Sequence, residues 1–214
     1  MKTANSLFYR TLSCRTCRIH NPVTPMQRLM LLAVIGAALG TVLRIRCPAL
    51  CGSPLLTQGL TVTAEVRTLW DACCTAVIPP LVLLFALLLF AGSAFGQAAA
   101  LLLLFWRGLA VGTVLCDCFL RFPPGDGLLA SAVLVMPFGF ATVILLANAA
   151  LETIRTANST ANYLFRGIPD PDIAAKQTHM LTKLLTVTLL TLAAAGLHTL
   201  LCWVMNTWLI SACS

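Results

Sequence analysis

The residues of this chain that can do chemistry are few and scattered. The sharpest local pattern is Cys14-Arg-Thr-Cys17 followed by His20. Thiolate and imidazole at such spacing suit zinc, but a structural zinc site takes four nitrogen or sulfur ligands. Only three are local here, and no second pair follows at the spacing of a zinc ribbon, so no metal is expected. Cys47 and Cys51 stand four apart in a loop and can pair if that loop faces an oxidising compartment. Cys73, Cys74, Cys116, Cys118 and Cys202 fall in apolar runs, where cysteine is usually a small packing residue.

Ionisable groups near apolar runs are equally sparse. Arg107 and Asp117 are ten positions apart, about 15 Å along a straight helix and too far for a direct pair. No apolar segment carries two carboxylates, and transport pathways usually bring ionisable groups face to face. His198, inside the last apolar segment, reads as a helix–helix hydrogen bonder. The chain contains no H-E-x-x-H, no G-x-x-x-x-G-K-[ST] and no G-x-S-x-G. Ser93 beside Gly92 lacks a persuasive histidine partner. Neither catalytic residues nor a cofactor are therefore expected.

The elements that must position these residues are membrane helices. Of 214 residues, 59% are hydrophobic and 10% charged, with a mean hydropathy of +0.91. Soluble domains carry about 25% charged residues. This composition excludes a soluble enzyme, a nucleic-acid module and a disordered chain. The net charge of +7 comes mostly from basic residues flanking apolar runs, as expected of loops at an anionic leaflet, and no nucleic-acid partner is expected. The fold class is all-α, a polytopic bundle of about five transmembrane helices with a broken or re-entrant segment near 93–107.

Residues 1–28 read as a basic, uncleaved cytoplasmic tail, and 29–210 as one transmembrane domain. The first span, Leu29 to Leu43, lies between Arg28 and Arg44, and its Gly36 and Gly40 form a helix-packing face. No charge occurs from Ala72 to Trp106, too long a run for one span, and Gly92 to Gln97 is the plausible break. The first helix of that run is expected from about 72 to 92, with Pro79 and Pro80 in its first turns. Arg107 then lies either in the middle of a 98–119 span or at the membrane surface, with a helix starting at Gly108. Because a charge at mid-bilayer costs about 2.5–3.5 kcal/mol on insertion scales, the interfacial or half-buried position is favoured, with a neighbouring element covering it. Gly127 to Leu151 is the fourth span, kinked at Met136-Pro137. Leu184 to Ile210 is the fifth, with Trp203 and Trp208 in an interfacial belt. The Asn158-Ser-Thr sequon falls on the side read as cytoplasmic and counts as chance.

With these elements placed, the stretch from Gly92 to Leu120 and the later Met136-Pro137 resemble the stage II sporulation protein M family. The shared features are a glycine-bearing break after the second span, Gly96-Gln97, a leucine-rich run from Leu101 to Trp106, Arg107-Gly108 and Gly112. Where that family often has glutamine after the mid-span proline, this chain has Phe138. The resemblance implies a non-catalytic integral membrane scaffold that recruits or positions cell-wall hydrolases during engulfment of the forespore. The functional centre is expected where a broken helix, a charge and small residues coincide, at Gly92, Gly96, Gln97, Arg107, Gly108 and Gly112, with Met136 and Pro137 as further candidates. The scaffold's partners would be the lipid bilayer and other membrane proteins, peptidoglycan hydrolase subunits among them; the Gly36/Gly40 and Gly108/Gly112 faces serve packing within the bundle first, and at least one of them is expected to dock such a partner. The alternative is a small membrane transporter or transporter subunit, with Arg107, Asp117, Gln97 or Asn148 around a water-accessible cavity.

Five spans put the termini on opposite sides. Lys2, Arg10, Arg15, Arg18, Arg28, Arg155, Arg166, Lys176 and Lys183 share one side; Arg44, Arg46, Arg67 and Arg121 share the other. Positive-inside topology makes the first side cytoplasmic, giving a multi-pass cell-membrane protein with its C-terminus external. A topology reporter fused after Ser214 is expected to be active outside the cell; activity in the cytoplasm would mean an even number of spans.

Overall fold

A computed structural model describes residues 24–48, 60, 69–166 and 173–213. The expectations for Cys14, Cys17, His20, Cys51 and most of the basic tail lie outside the described residues. The described chain is helical throughout, without a strand, and five of its helices are long and apolar enough to cross a membrane.

Helix α1 runs Pro25–Arg46. It begins four residues before the expected span because Thr24 and Gln27 close a capping box over a proline at the first helical position. Gln27 N–H donates to Thr24 Oγ1 at 3.3 Å, and Thr24 N–H donates to Gln27 Oε1 at 2.8 Å. The helix has 22 residues, about 33 Å, so no stretching by snorkelling arginines is needed.

Helices α2 (Leu69–Ala91) and α3 (Gly96–Arg121) are joined by four residues, 92–95. Ser93 closes this turn: its N–H donates to Phe90 O, its carbonyl accepts from Gly96 N, and its hydroxyl accepts from Phe95 N. A Cβ on Gly96 would collide with Phe90 O and crowd Ala157, so only glycine lets the chain reverse this tightly against its neighbours. The break is therefore confined to 92–95. The segment 98–107 is not a separate re-entrant or surface helix, because the leucine run continues as the first half of a 26-residue helix. Arg107 sits eleven positions from one end of α3 and fourteen from the other. Pro79 and Pro80 lie about three turns into α2, three residues deeper than expected, since that helix starts at Leu69 rather than near 72.

After Arg121 the chain turns through Phe122 and Pro123 into α4 (Pro124–Ala130), a π-helical turn (Ser131–Val135) and α5 (Met136–Arg166). These form one continuous rod. Met136 N–H donates to Ser131 O, five residues back. Pro137 lacks an N–H, and its ring would strike the carbonyl four residues earlier; the widened turn makes room for it. The irregularity expected at Met136-Pro137 takes the form of a π-bulge just before it. Helix α6 (Ile173–Cys213) has 41 residues, about 60 Å, and exceeds the hydrocarbon thickness.

α1, α3 and α6 run parallel, and α2 and α5 run against them. The close approaches advance together along α1 and α3: Gly36 beside Phe105 and Leu109, Gly40 beside Leu109 and Thr113. Glu152 on α5 meets Lys183 on α6, and Ser159 meets Lys176, so these two helices form a hairpin. Ala157 is level with Gly96, and α5 continues nine residues beyond, about 13 Å past the 92–95 turn. The core lies along α3, where Leu104, Ala110, Val111 and Val114 meet Leu84 and Leu87 of α2, Val135, Phe138 and Ala147 of the α5 rod, and Leu29 and Ala33 of α1.

The two Gly-x-x-x-Gly faces pack on each other. A Cβ on Gly108 would strike Ala33 O, one on Gly112 would strike Ala37 O, and one on Gly36 would come within 2.5 Å of Phe105 O. These are backbone obstacles that no rotamer change relieves. Both faces are consumed inside the molecule, which corrects the expectation that one docks a second protein. Gly112→Ala is expected to lower the unfolding free energy in bicelles by about 1–3 kcal/mol through overpacking, whereas Gly92→Ala, with nothing within 4 Å of the new methyl, should leave it unchanged. Equal effects at the two positions would refute the α1–α3 seam.

Candidate functional site around Arg107

The buried face of α3 reads Ala100, Leu104, Arg107, Gly108, Val111, Val114 and Cys118, a helical stripe of threes and fours. Arg107 occupies this stripe, so the same periodicity that turns the leucine and valines inward turns the guanidinium inward. It is fully buried.

α5 supplies its cover. Arg107 Nε and Nη2 both donate to Thr142 Oγ1, at 3.1 and 2.8 Å. The Thr142 hydroxyl spends its own proton on Phe138 O and Gly139 O, at 2.9 and 3.0 Å. Its oxygen is thereby presented to the guanidinium as an acceptor only. Gly139 faces Val111, where a Cβ would already be 3.3 Å from a valine methyl, and this keeps α5 near enough for the contact. The guanidinium carbon lies 5.8 Å from the centroid of the Phe138 ring, in cation–π range. On Phe138 stacks His198 of α6, with centroids 4.4 Å apart and planes 8° from parallel. Cys202 Sγ follows at 3.6 Å from His198 Nε2. A column of side chains thus joins α3, α5 and α6 across the bundle.

Beside the guanidinium is a cavity of about 10 Å³, the room of roughly one water, walled by Pro80, Leu83 and Leu84 of α2, Leu146 of α5 and Thr191 of α6. Thr191 also gives its hydroxyl proton to a backbone carbonyl, that of Val187. The arrangement can hold a fixed positive charge and orient a single small polar molecule.

The other sequence candidates disperse. Gly92 and Gly96 lie in or beside the 92–95 turn, and Gln97 is exposed there. Gly108 and Gly112 face α1 rather than the Arg107 cavity. Met136 and Pro137 are exposed on α5. Asn148 is exposed too, and Asp117 accepts from Arg44 Nε at 3.0 Å and pairs with Arg121 at 2.6 Å. Of the four residues expected around a transport cavity, Arg107 alone lines this one.

Sequence reasoning missed Thr142 and Phe138, because nothing in a uniformly apolar helix marks which residue meets a charge 35 positions away. It also missed the bridge from Arg44 to Asp117 and the pairing of Glu152 with Lys183 and Arg155. Among the described residues no three histidine, cysteine or acidic side chains gather as a metal would need. Compared with protein families, curated proteins and solved structures, the chain finds no match.

Thr142→Val removes the shared acceptor while keeping the shape, and is expected to cost about 1.5–3 kcal/mol of stability, as for a hydrogen bond to a charged group. Thr142→Ser, which keeps the oxygen, should cost less. Equal losses for the two variants in thermal unfolding would show that packing, not the bond to Arg107, matters at this position.

Proposed function

We propose that the protein is a non-catalytic integral membrane scaffold, organised like the stage II sporulation protein M family and positioning cell-wall hydrolases at a remodelling membrane. The observation that carries this reading is the filled interior. Arg107, the charge placed near the middle of α3, is bound to Thr142 beside space for about one water, so among the described residues the bundle is braced there rather than opened around the charge, which supports a scaffold. The α5–α6 hairpin supports it further, since a polar arm standing past the 92–95 turn is where a partner can be held. That arm carries Lys176, with Arg155 and Lys183 at its base, and α1 begins at the same end of the bundle. With that end cytoplasmic, the far end of α6 is external, a reading supported by the distribution of basic residues.

Affinity capture of the full chain from cells engaged in septal remodelling is expected to bring down a peptidoglycan hydrolase or its membrane subunit. Charge-reversed Lys176→Glu/Lys183→Glu protein should lose it. Proteoliposomes of the wild type should be no leakier to small solutes than empty vesicles. Solute uptake into the proteoliposomes would replace the scaffold reading with the transporter.

A further inference from the structure

The lipid-facing surface of the bundle carries polar side chains at hydrocarbon depth, and all but one of those with a described bond fold back on themselves completely. Thr41, Thr182 and Thr186 each donate their single hydroxyl proton to a carbonyl of their own helix, at 2.7, 2.9 and 3.0 Å. Asn148 on α5 is different. One N–H of its amide donates to Ile144 O at 3.0 Å. Among the described residues, the second N–H and the acceptor Oδ1 have no partner, and the side chain is exposed.

Its depth follows from α3. Arg107 lies near the middle of that helix and is bonded to Thr142, so Thr142 marks the midplane on α5. Asn148 is six residues further, about 9 Å, within a hydrocarbon half-thickness of about 15 Å. There is no water at that depth to satisfy an amide, and lipid supplies no donor. Phe140 and Ile144, at spacings of four on the same face, are 53% and 44% exposed, so among the described residues no other helix covers this side of α5.

We propose that this face is an interface between two copies of the chain, with α5 packed on α5 and Asn148 meeting Asn148 of the second copy. Two copies in one membrane share their orientation, so a twofold axis along the membrane normal brings each residue of the face opposite itself. An amide is self-complementary under that operation. The free N–H of one Asn148 donates to Oδ1 of the other, and the reverse bond forms at the same time, closing every open polar position on both. A hydroxyl already committed to its own helix has no proton for this, which is why the threonines do not nominate their faces. Arg155 lies two turns beyond Asn148 on the same side and is held by Glu152 at 2.9 Å. Like charges there make the two helices diverge toward that end and centre the crossing on Asn148. The proposal is independent of the scaffold reading, since a transporter can dimerise through the same face.

The test is self-association of the full-length protein, labelled with donor and acceptor dyes and reconstituted in phosphatidylcholine vesicles over a range of protein-to-lipid ratios. Wild type should dimerise, Asn148→Leu should weaken the dimer by roughly tenfold, and Asn148→Gln, which keeps an amide, should retain most of it. Circular dichroism on the same vesicles should give one helix content for all three proteins, as the side chain supports nothing inside the bundle. The proposal fails if the wild type is monomeric at every ratio, if Asn148→Leu dimerises as well as wild type, or if Asn148→Gln is as weak as Asn148→Leu. A different membrane protein captured through Asn148 in the absence of self-association overturns it as well.

Discussion

A guanidinium does not belong in hydrocarbon, and the architecture of this bundle follows from keeping Arg107 out of it. The charge is bonded to a threonine whose proton is already spent, capped by an aromatic face, and walled by a second and a third helix. α5 must pass close to α3, which Gly139 permits, and must hold register through a proline, which the π-turn at Ser131–Val135 permits. α2 must lie against the other side of the guanidinium, and the four-residue turn at 92–95 fixes it there. Each of these local features is unremarkable alone. Together they enclose one side chain.

The same logic recurs at three depths. At one end Asp117 takes Arg44 from α1 and Arg121 from its own helix. In the middle Arg107 reaches from α3 to α5. At the other end Glu152 of α5 holds Lys183 of α6 together with Arg155. Read in order, these ties link α1 to α3, α3 to α5 and α5 to α6, a stagger that lets no single level carry the whole load. Glu152 is buried and the Arg44 side chain is 16% exposed, so the ties at the ends set the register of the helices and leave a costly unpaired charge if one partner is removed. The apolar contacts of Leu84, Leu87, Leu104 and Val111 and the glycine seam supply the attraction between helices.

What the sequence disclosed tracks what hydropathy measures. Five spans, the reversal near Gly92–Gly96 and the glycine faces of α1 and α3 were legible because each is written within one helix or one turn. Partnership was not. Gly36 and Gly112 each advertise a close approach, but no periodicity says that Ala33 and Ala37 are what Gly108 and Gly112 approach. The depth of Arg107 was misjudged for a related reason. An insertion cost taken for an isolated helix favours the interface, whereas Thr142 and Phe138 change that cost once α5 is in place. His198, read as a hydrogen bonder between helices, stacks on Phe138, a neighbour its own span could not reveal. Capping gave the opposite lesson: Thr24, Pro25 and Gln27 spell the start of α1 outright, four residues before the apolar run begins.

The parallel contact of α1 with α3 has a consequence for biogenesis. Two parallel neighbours cannot be joined by a short hairpin, and Arg44 lies 73 positions before the Asp117 it meets. During synthesis α1 enters the membrane first, while the chain that will cover its glycines has not yet left the ribosome. It must wait there as a solitary helix, with a bare backbone groove facing lipid, until α2 and α3 arrive as a pair. A capped start, 22 residues of length and basic anchors at both ends suit it to that interval.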